Sequence, residues 1–356
     1  MLGLWFEMLS DQRPKICRTF GTTGVLFLVA ALLVGMPWGA AAAFEGEETV
    51  TSGQAESKAP WRGSAFVYRN TLRAYSLDAA SELSHNPYYA MSFSFQPSWW
   101  FGDHLYVRAS LDVIREITNS DETTDYGEAW VSDLAFIVGY SKFYKIPVVG
   151  IDISADLVIK TPTSKPAMAR TLIMGIGPGF RLTRSFDLLK GLSIGYSFRA
   201  NPNLHRKTTS ETENPWIGGC ISSSGGCDQY FNTGYRNAKF RLQQGFDVSL
   251  GILDWLSVSL SYGVLIDWLY DIDKSDDQYE VLQISEPQNR RYYSVFEAQV
   301  TFTPMPAFQV GLGLSTFNPQ LKPDSDYYNP LFNRYSMIFV DMRLSIDGLI
   351  SQFTND

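Results

Sequence analysis

The sequence predicts an all-β fold, a transmembrane antiparallel up-and-down β-barrel of about twelve strands. Long segments alternate apolar and polar side chains for about ten residues at a time, the period of a strand with one greasy and one wet face. The chain opens with the features of a secretory leader. After that leader no apolar run approaches the length of a spanning helix. A membrane protein without such helices has to close its sheet, because an open edge leaves backbone groups unsatisfied in hydrocarbon. The clearest segment runs from 256 to 268. Leu256, Val258, Leu260, Tyr262, Val264, Ile266 and Trp268 form one row, and Ser257, Ser259, Ser261, Gly263 and Asp267 the other.

The leader is read first. Arg13, Lys15 and Arg18 give a basic start, residues 24–34 an apolar core, and Ala41-Ala42-Ala43 a small-residue cleavage site. Pro37 interrupts the end of the apolar run, and Cys17 precedes the core with no lipobox around it. Residues 1–43 therefore read as a signal peptide. Cleavage there removes three basic and two acidic residues, and the net charge moves from −8 to −9. That balance argues against nucleic acid as a partner, because phosphate binding needs a basic face. The remaining 313 residues could hold two ordinary domains, but barrels reach this length as one. Residues 44–63 are mostly polar and acidic and read as a flexible tail.

Twelve strand candidates follow within 64–353: about 64–77, 88–98, 104–117, 129–142, 147–160, 170–183, 189–201, 237–251, 255–270, 292–304, 307–318 and 334–348. Odd positions form the outward apolar row in the third and fifth, and even positions in the sixth to tenth. A soluble sandwich or propeller also alternates, but its strands are about half as long and bury their apolar face. Connections alternate in length. Short ones fall near Gly102-Asp103, Lys145-Ile146, Phe186-Asp187, Asp254 and residues 304–306; long ones fall near 118–128, 161–169, 202–236, 271–291 and 319–333. Aromatic residues gather at both ends. Trp99, Trp100, Phe101, Phe143, Tyr144 and Trp255 flank short turns, while Tyr88, Tyr89, Trp130, Trp268, Tyr270, Tyr292, Tyr293 and Tyr335 flank long loops. Amphipathic rings favour the lipid headgroup level, so two belts are expected.

In these features the chain resembles single-chain outer-membrane β-barrels of Gram-negative bacteria, over its whole length after the tail. The resemblance is architectural and fixes no subfamily. It implies residence in the bacterial outer membrane, contact with its lipid, tight periplasmic turns and long outer loops. The tail then lies in the periplasm, and an even strand count returns both termini there. One departure stands out: such barrels usually end on an aromatic residue of the last strand, whereas Phe353 is followed by Thr354-Asn355-Asp356.

The inward rows are small and polar, with charges at chosen places. The cations read there are all arginine: Arg69, Arg73, Arg108, Arg181, Arg199, Arg241 and Arg343. The anions are Asp112, Glu116, Asp133, Asp152, Asp156, Asp247, Asp267, Glu297 and Asp341. Arginine keeps its charge and presents a planar fork to carboxylates, which suits interior ion pairs. Asp152 and Asp156 share a face but stand about 13 Å apart along the strand, so pairing has to run between strands. Depth then predicts Arg181 with Asp152, Arg241 with Asp267, and Arg69 or Arg73 with Asp341 at the closing seam. Glu116, Asp133 and Asp156 facing Arg199 and Arg241 would give walls of opposite sign, as in the constriction of diffusion porins. The rival is a lumen filled by its own salt bridges, since twelve strands lie between filled and open barrels.

Other signals are weaker. Cys220 and Cys227 share a long polar segment, and export favours a disulfide there. Gly175, Gly177 and Gly179, like Gly311 and Gly313, lack the following helix that a phosphate-cradling loop needs; in a strand they mark bending or close approach of another group. His85 beside Ser84, His104 and His205 do not form the His-x-Ser strand arrangement of barrel lipases, so no enzyme is expected. The loop acids Asp121, Glu122 and Asp125, and Asp271, Asp273, Asp276, Asp277 and Glu280, read as solvated charge, without the spacing of a dedicated calcium loop. No cofactor or metal is expected. The expected function is passive passage of small polar solutes, with no plug domain and no energy-coupling segment. The alternatives are a non-conducting barrel whose fourth outer loop, with Tyr230, Phe231 and Tyr235, binds a surface partner, and an outer-membrane hydrolase.

Overall fold

A computed structural model describes residues 59–77, 88–118, 127–213, 230–271, 289–322 and 324–354. The described strands are β1 (Ala65–Arg73), β2 (Tyr89–Gln96), β3 (Ser98–Phe101), β4 (Leu105–Glu116), β5 (Ala129–Val131), β6 (Leu134–Ile146), β7 (Ile151–Thr161), β8 (Leu172–Phe186), β9 (Leu192–His205), β10 (Thr209–Glu213), β11 (Tyr230–Arg236), β12 (Ala238–Leu253), β13 (Leu256–Leu269), β14 (Arg290–Met305), β15 (Phe308–Pro319) and β16 (Ser336–Ser345).

Two barrel staves are each made of two of these pieces. Pro97 has no N–H to give the ladder and separates β2 from β3, both of which pair with β4. Residues 132–133 separate β5 from β6, which also share β4 as a partner. The result is a closed antiparallel barrel of twelve strands. The seam is β1 against β16, in register from Ala65 opposite Ser345 to Arg73 opposite Met337. Apart from that seam, each barrel stave pairs antiparallel with the next stave in chain order, as an up-and-down barrel requires. Closure removes the free edges that lipid cannot satisfy.

The apolar row faces outward. Phe93, Phe101 and Leu312 remain more than half exposed on the protein itself, as lipid-facing side chains should. Directly opposed rings pair across neighbouring strands: Phe66 with Phe95, Tyr68 with Phe93, Phe180 with Phe198 and Tyr196 with Phe246, at centroid separations of 4.9, 4.7, 5.3 and 4.9 Å. Such pairs contribute roughly 0.2–1 kcal/mol each. The aromatic belts differ from expectation in several members. Trp100, Trp130 and Tyr293 occupy inward register positions, and Trp100 stacks on the buried Tyr106. Strand parity decides this: Trp99 and Trp100 are consecutive, so only one can face lipid.

Three further elements depart from the sequence reading. The span read as the long fourth connection contains the hairpin β10–β11, which carries β9 and β12 outward. The third long connection contains a short helix, Lys165–Ala169, capped by Ser164, whose hydroxyl accepts from the Ala167 amide. The last strand stops at Ser345 and a helix, Ile346–Thr354, follows it. Ile346, Leu349, Ile350 and Phe353 have helical spacing, which the alternation reading absorbed into the strand. The helix is tied to the periplasmic end. The Ile346 amide donates to the Ser64 carbonyl, and Gly348 sits so close to the 306–307 turn that a Cβ would lie 2.6 Å from the Pro306 oxygen.

An arginine placed on the lipid face should be costly. Leu312→Arg is expected to lower stability by about 2–4 kcal/mol. Guanidinium unfolding in phospholipid vesicles, followed by tryptophan fluorescence, would check this.

Candidate functional site

The site is the inner wall. Parity puts every charged residue singled out in the sequence on inward register positions, from Arg69 and Arg73 in β1 to Asp341 and Arg343 in β16. Asp133 lies just ahead of β6, where its carboxylate accepts from the Ser164 amide at 3.1 Å. Lysine is present too: Lys160 shares the inward row of Asp156 in β7, and Lys145 stands opposite Asp152. The reading that all interior cations are arginine is thereby corrected. Lys145 keeps the odd, inward parity of Gly139, because the irregularity between Tyr140 and Tyr144 adds two residues to β6; it was missed because it was read as part of a short connection.

Charges pair in two ways. Some pairs join adjacent strands, as expected. Arg241 grips Asp267 with both forks, at 2.6 and 2.8 Å, and Arg69 grips Asp341 across the seam at 2.6 and 2.7 Å. Arg69 also lies 3.7 Å from Glu297 and 4.1 Å above the ring of Phe339. Other pairs skip a strand. Arg199 on β9 bonds Asp156 on β7, and Arg181 on β8 bonds Asp247 on β12 at 2.6 Å. The partner of Arg181 is therefore Asp247 and not the expected Asp152. Asp156 and Arg199 bond each other, so the acidic and basic walls expected from the sequence merge into neutralised patches.

Glycines make the skipping pairs possible. Gly179 lies between Asp156 and Arg199 in the register; a Cβ there would fall 2.6 Å from Asp156 Oδ1 and 3.1 Å from Arg199 Nε. Gly195 lies between β8 and β12 and would meet Asp247 at 2.5 Å. Gly311 lies under the Gln299 amide, which donates to Asp341 at 3.4 Å, and Gly313 lies under the ring of Phe339. Gly139 does the same for Tyr106. Close approach of another group is thus the reason for these glycines.

The ends of the wall are built differently. At the periplasmic end residues 59–63, the close of the segment read as a tail, form a turn against β3. Arg62 lies 4.1 Å over Trp100 and donates to the Gly102 carbonyl at 2.9 Å. At the outer mouth a cavity of about 40 Å³ is lined by Arg170, Arg236, Arg241, Arg291, Asp267, Tyr235 and Tyr293. Arg291 lies 3.5 Å over the Tyr235 ring, and the two tyrosine hydroxyls are 3.4 Å apart. Arg170, Arg236 and Arg291 were missed in the sequence because each sits at or beyond a strand boundary; Arg291 opposite Asp267 was the legible one.

The two described histidines bond backbone carbonyls: His104 that of Ser141 at 3.0 Å and His205 that of Arg170 at 2.7 Å. Asp271 accepts from the Asn289 amide at 2.9 Å. Ser84, His85, Cys220, Cys227, Asp121, Glu122, Asp125, Asp273, Asp276, Asp277 and Glu280 lie outside the described residues.

No protein-family model and no curated protein matches the sequence. Solved structures do match, at low identity. The NanC porin is 12% identical, with a TM-score of 0.39 over 79% of this chain and 98% of that one. LpxR from Salmonella typhimurium is 12% identical, with a TM-score of 0.33 over 79% and 99%. The outer membrane phospholipase of Salmonella typhi is 12% identical, with a TM-score of 0.31 over 85% and 98%. The chain itself is a closed membrane barrel with an apolar exterior, short turns on one side and both chain ends of the barrel on that side, an outer-membrane β-barrel of the bacterial type.

The glycine contacts generate a paired expectation. Gly179→Ala should cost about 1–3 kcal/mol, because backbone and a bonded ion pair crowd the new methyl. Gly245→Ala, where the nearest atom is 3.5 Å away, should change stability by less than about 0.5 kcal/mol. Asp267→Ala, which strands Arg241, should cost about 3 kcal/mol. Denaturant midpoints of the three variants in one detergent would rank them.

Proposed function

We propose that this protein is a non-catalytic, porin-like channel for passive passage of small polar solutes across the outer membrane. The observation that carries the reading is how the interior charges lie. Arg199 and Arg181 bond carboxylates two strands away by running along the wall over glycines, and not across the barrel axis. Charges laid against the wall line a lumen without filling it. Their pairing keeps the lining polar while limiting the net field that would hold a solute in place. Twelve strands give a diameter between that of filled eight-stranded barrels and open sixteen-stranded ones.

A second reading is a non-conducting barrel that presents its outer loops to a surface partner. It is favoured by the β10–β11 hairpin, which carries two strands beyond the sheet of their neighbours. Planar-bilayer recording separates the two. The channel reading expects discrete conductance steps from the purified protein, and deletion of 214–229 should leave or enlarge them. Absence of conductance at every voltage tried would remove it.

A further inference from the structure

The connection from β15 to β16 folds over the outside of the wall. The register between these strands is unbroken, so Thr316, Asn318 and Ser336 share the outward parity of the lipid-facing Leu312. All three are nevertheless at most 1% exposed. The returning chain covers them. The Thr316 hydroxyl donates to the Leu331 carbonyl at 3.2 Å and pairs with the Ser336 hydroxyl at 3.0 Å. Buried Asn333 ties the segment down. Its side-chain amide donates to Asn318 Oδ1 at 3.0 Å and to the Asn329 carbonyl at 2.8 Å, and its backbone amide donates to the Ser336 hydroxyl at 2.8 Å. Its own side-chain oxygen accepts from the Tyr335 amide at 2.8 Å. A network satisfied at each of these groups fixes one geometry.

The segment held in this way turns apolar side chains outward. Leu331 is 50% and Phe332 46% exposed, and Phe332 packs edge-on against Tyr75, in the helical turn after β1, with centroids 5.6 Å apart. One outward position below Thr316 and Ser336 stand Leu314 and Ile338, where the apolar row begins. The segment therefore sits at the upper border of the lipid-facing surface. The backbone of Leu331 is satisfied within the protein, since its amide donates to Asn329 Oδ1 at 2.9 Å and its carbonyl accepts from Thr316. Hydrocarbon demands that of any non-helical backbone it touches. Removing the exposed apolar area from water is favourable by about 25 cal/mol per Å², and acyl chains beside the wall offer that removal. We propose that the β15–β16 connection is a membrane anchor: residues 329–335 lie in the outer-leaflet interface, held to the wall by Asn333, with Leu331 and Phe332 inserted among acyl chains. The partner is the lipid bilayer, met by a connection as well as by the strands. The anchor is independent of whether the barrel conducts.

The test is electron paramagnetic resonance of nitroxide labels on the full chain carrying Cys17→Ser, Cys220→Ser and Cys227→Ser, in dioleoylphosphatidylcholine vesicles. Molecular oxygen concentrates in hydrocarbon and a nickel chelate in water, so the stronger relaxant reports what surrounds a label. Labels at Leu331→Cys and Phe332→Cys should be relaxed more by oxygen, as at Leu312→Cys on the lipid face. The order should reverse at Ser325→Cys, on the exposed part of the same connection. Adding Asn333→Ala should shift the label at 331 to the nickel side. Nickel dominating at both 331 and 332 would make the segment an aqueous loop, and shielding from both relaxants would mean a protein cover such as a second copy; either result overturns the anchor. A label at 331 unmoved by Asn333→Ala would overturn the holding role of Asn333. With the cysteines intact, Phe332→p-benzoylphenylalanine should photo-cross-link to lipid acyl chains, and the absence of any lipid adduct would also overturn the proposal.

Discussion

The interior of this barrel depends on ion pairs that reach over glycine. A barrel wall offers each inward side chain neighbours about 5 Å away on the adjacent strands, and arginine is longer than that. Where the intervening strand carries a Cβ, the guanidinium has to rise toward the axis. Where it carries Gly179 or Gly195, the guanidinium lies flat and meets a carboxylate on the strand beyond. The same accommodation places Phe339 and Tyr106 on the wall over Gly313 and Gly139. Small residues and long charged ones are therefore a matched set.

Most of the architecture was legible because alternation is a backbone property. The observed strands lie within a few residues of the twelve read from the sequence; β13 at Leu256–Leu269 against 255–270 is typical. Inward positions followed from parity, and depth sufficed for the adjacent pairs Arg241–Asp267 and Arg69–Asp341. It failed for Arg181, because the sequence shows which residues share a face but not which intervening positions are hollow enough to cross. Gly195 held that information, and its meaning is visible only once register is known. Strand ends were the second loss: Lys145 was read as part of a short connection, whereas β6 runs on to Ile146 and keeps Lys145 in the inward row.

The ends of the elements were least legible. A pattern of period two runs into one of period 3.6 at residues 344–350 with apolar residues satisfying both, so the terminal helix was read as strand. The outer-mouth arginines sit where strands give way to connections, and there neither periodicity assigns a face. Arg236 and Arg170 come together because the short helix after β7 packs against β10 and the Asn237 side-chain amide, next to Arg236, donates to the Arg170 carbonyl.

The skipping ion pairs bear on how the barrel assembles. Asp156 and Arg199 lie on β7 and β9, and Arg181 and Asp247 on β8 and β12, so no single hairpin owns both partners. A nascent ribbon inserting two strands at a time would hold only one partner of each of these bonds. Three consecutive staves have to arrive before either bond can form, and the final pair, Arg69 with Asp341, spans 272 positions of chain. The contacts that set the inner wall are therefore late ones, made between hairpins and, last of all, between the two ends of the sheet.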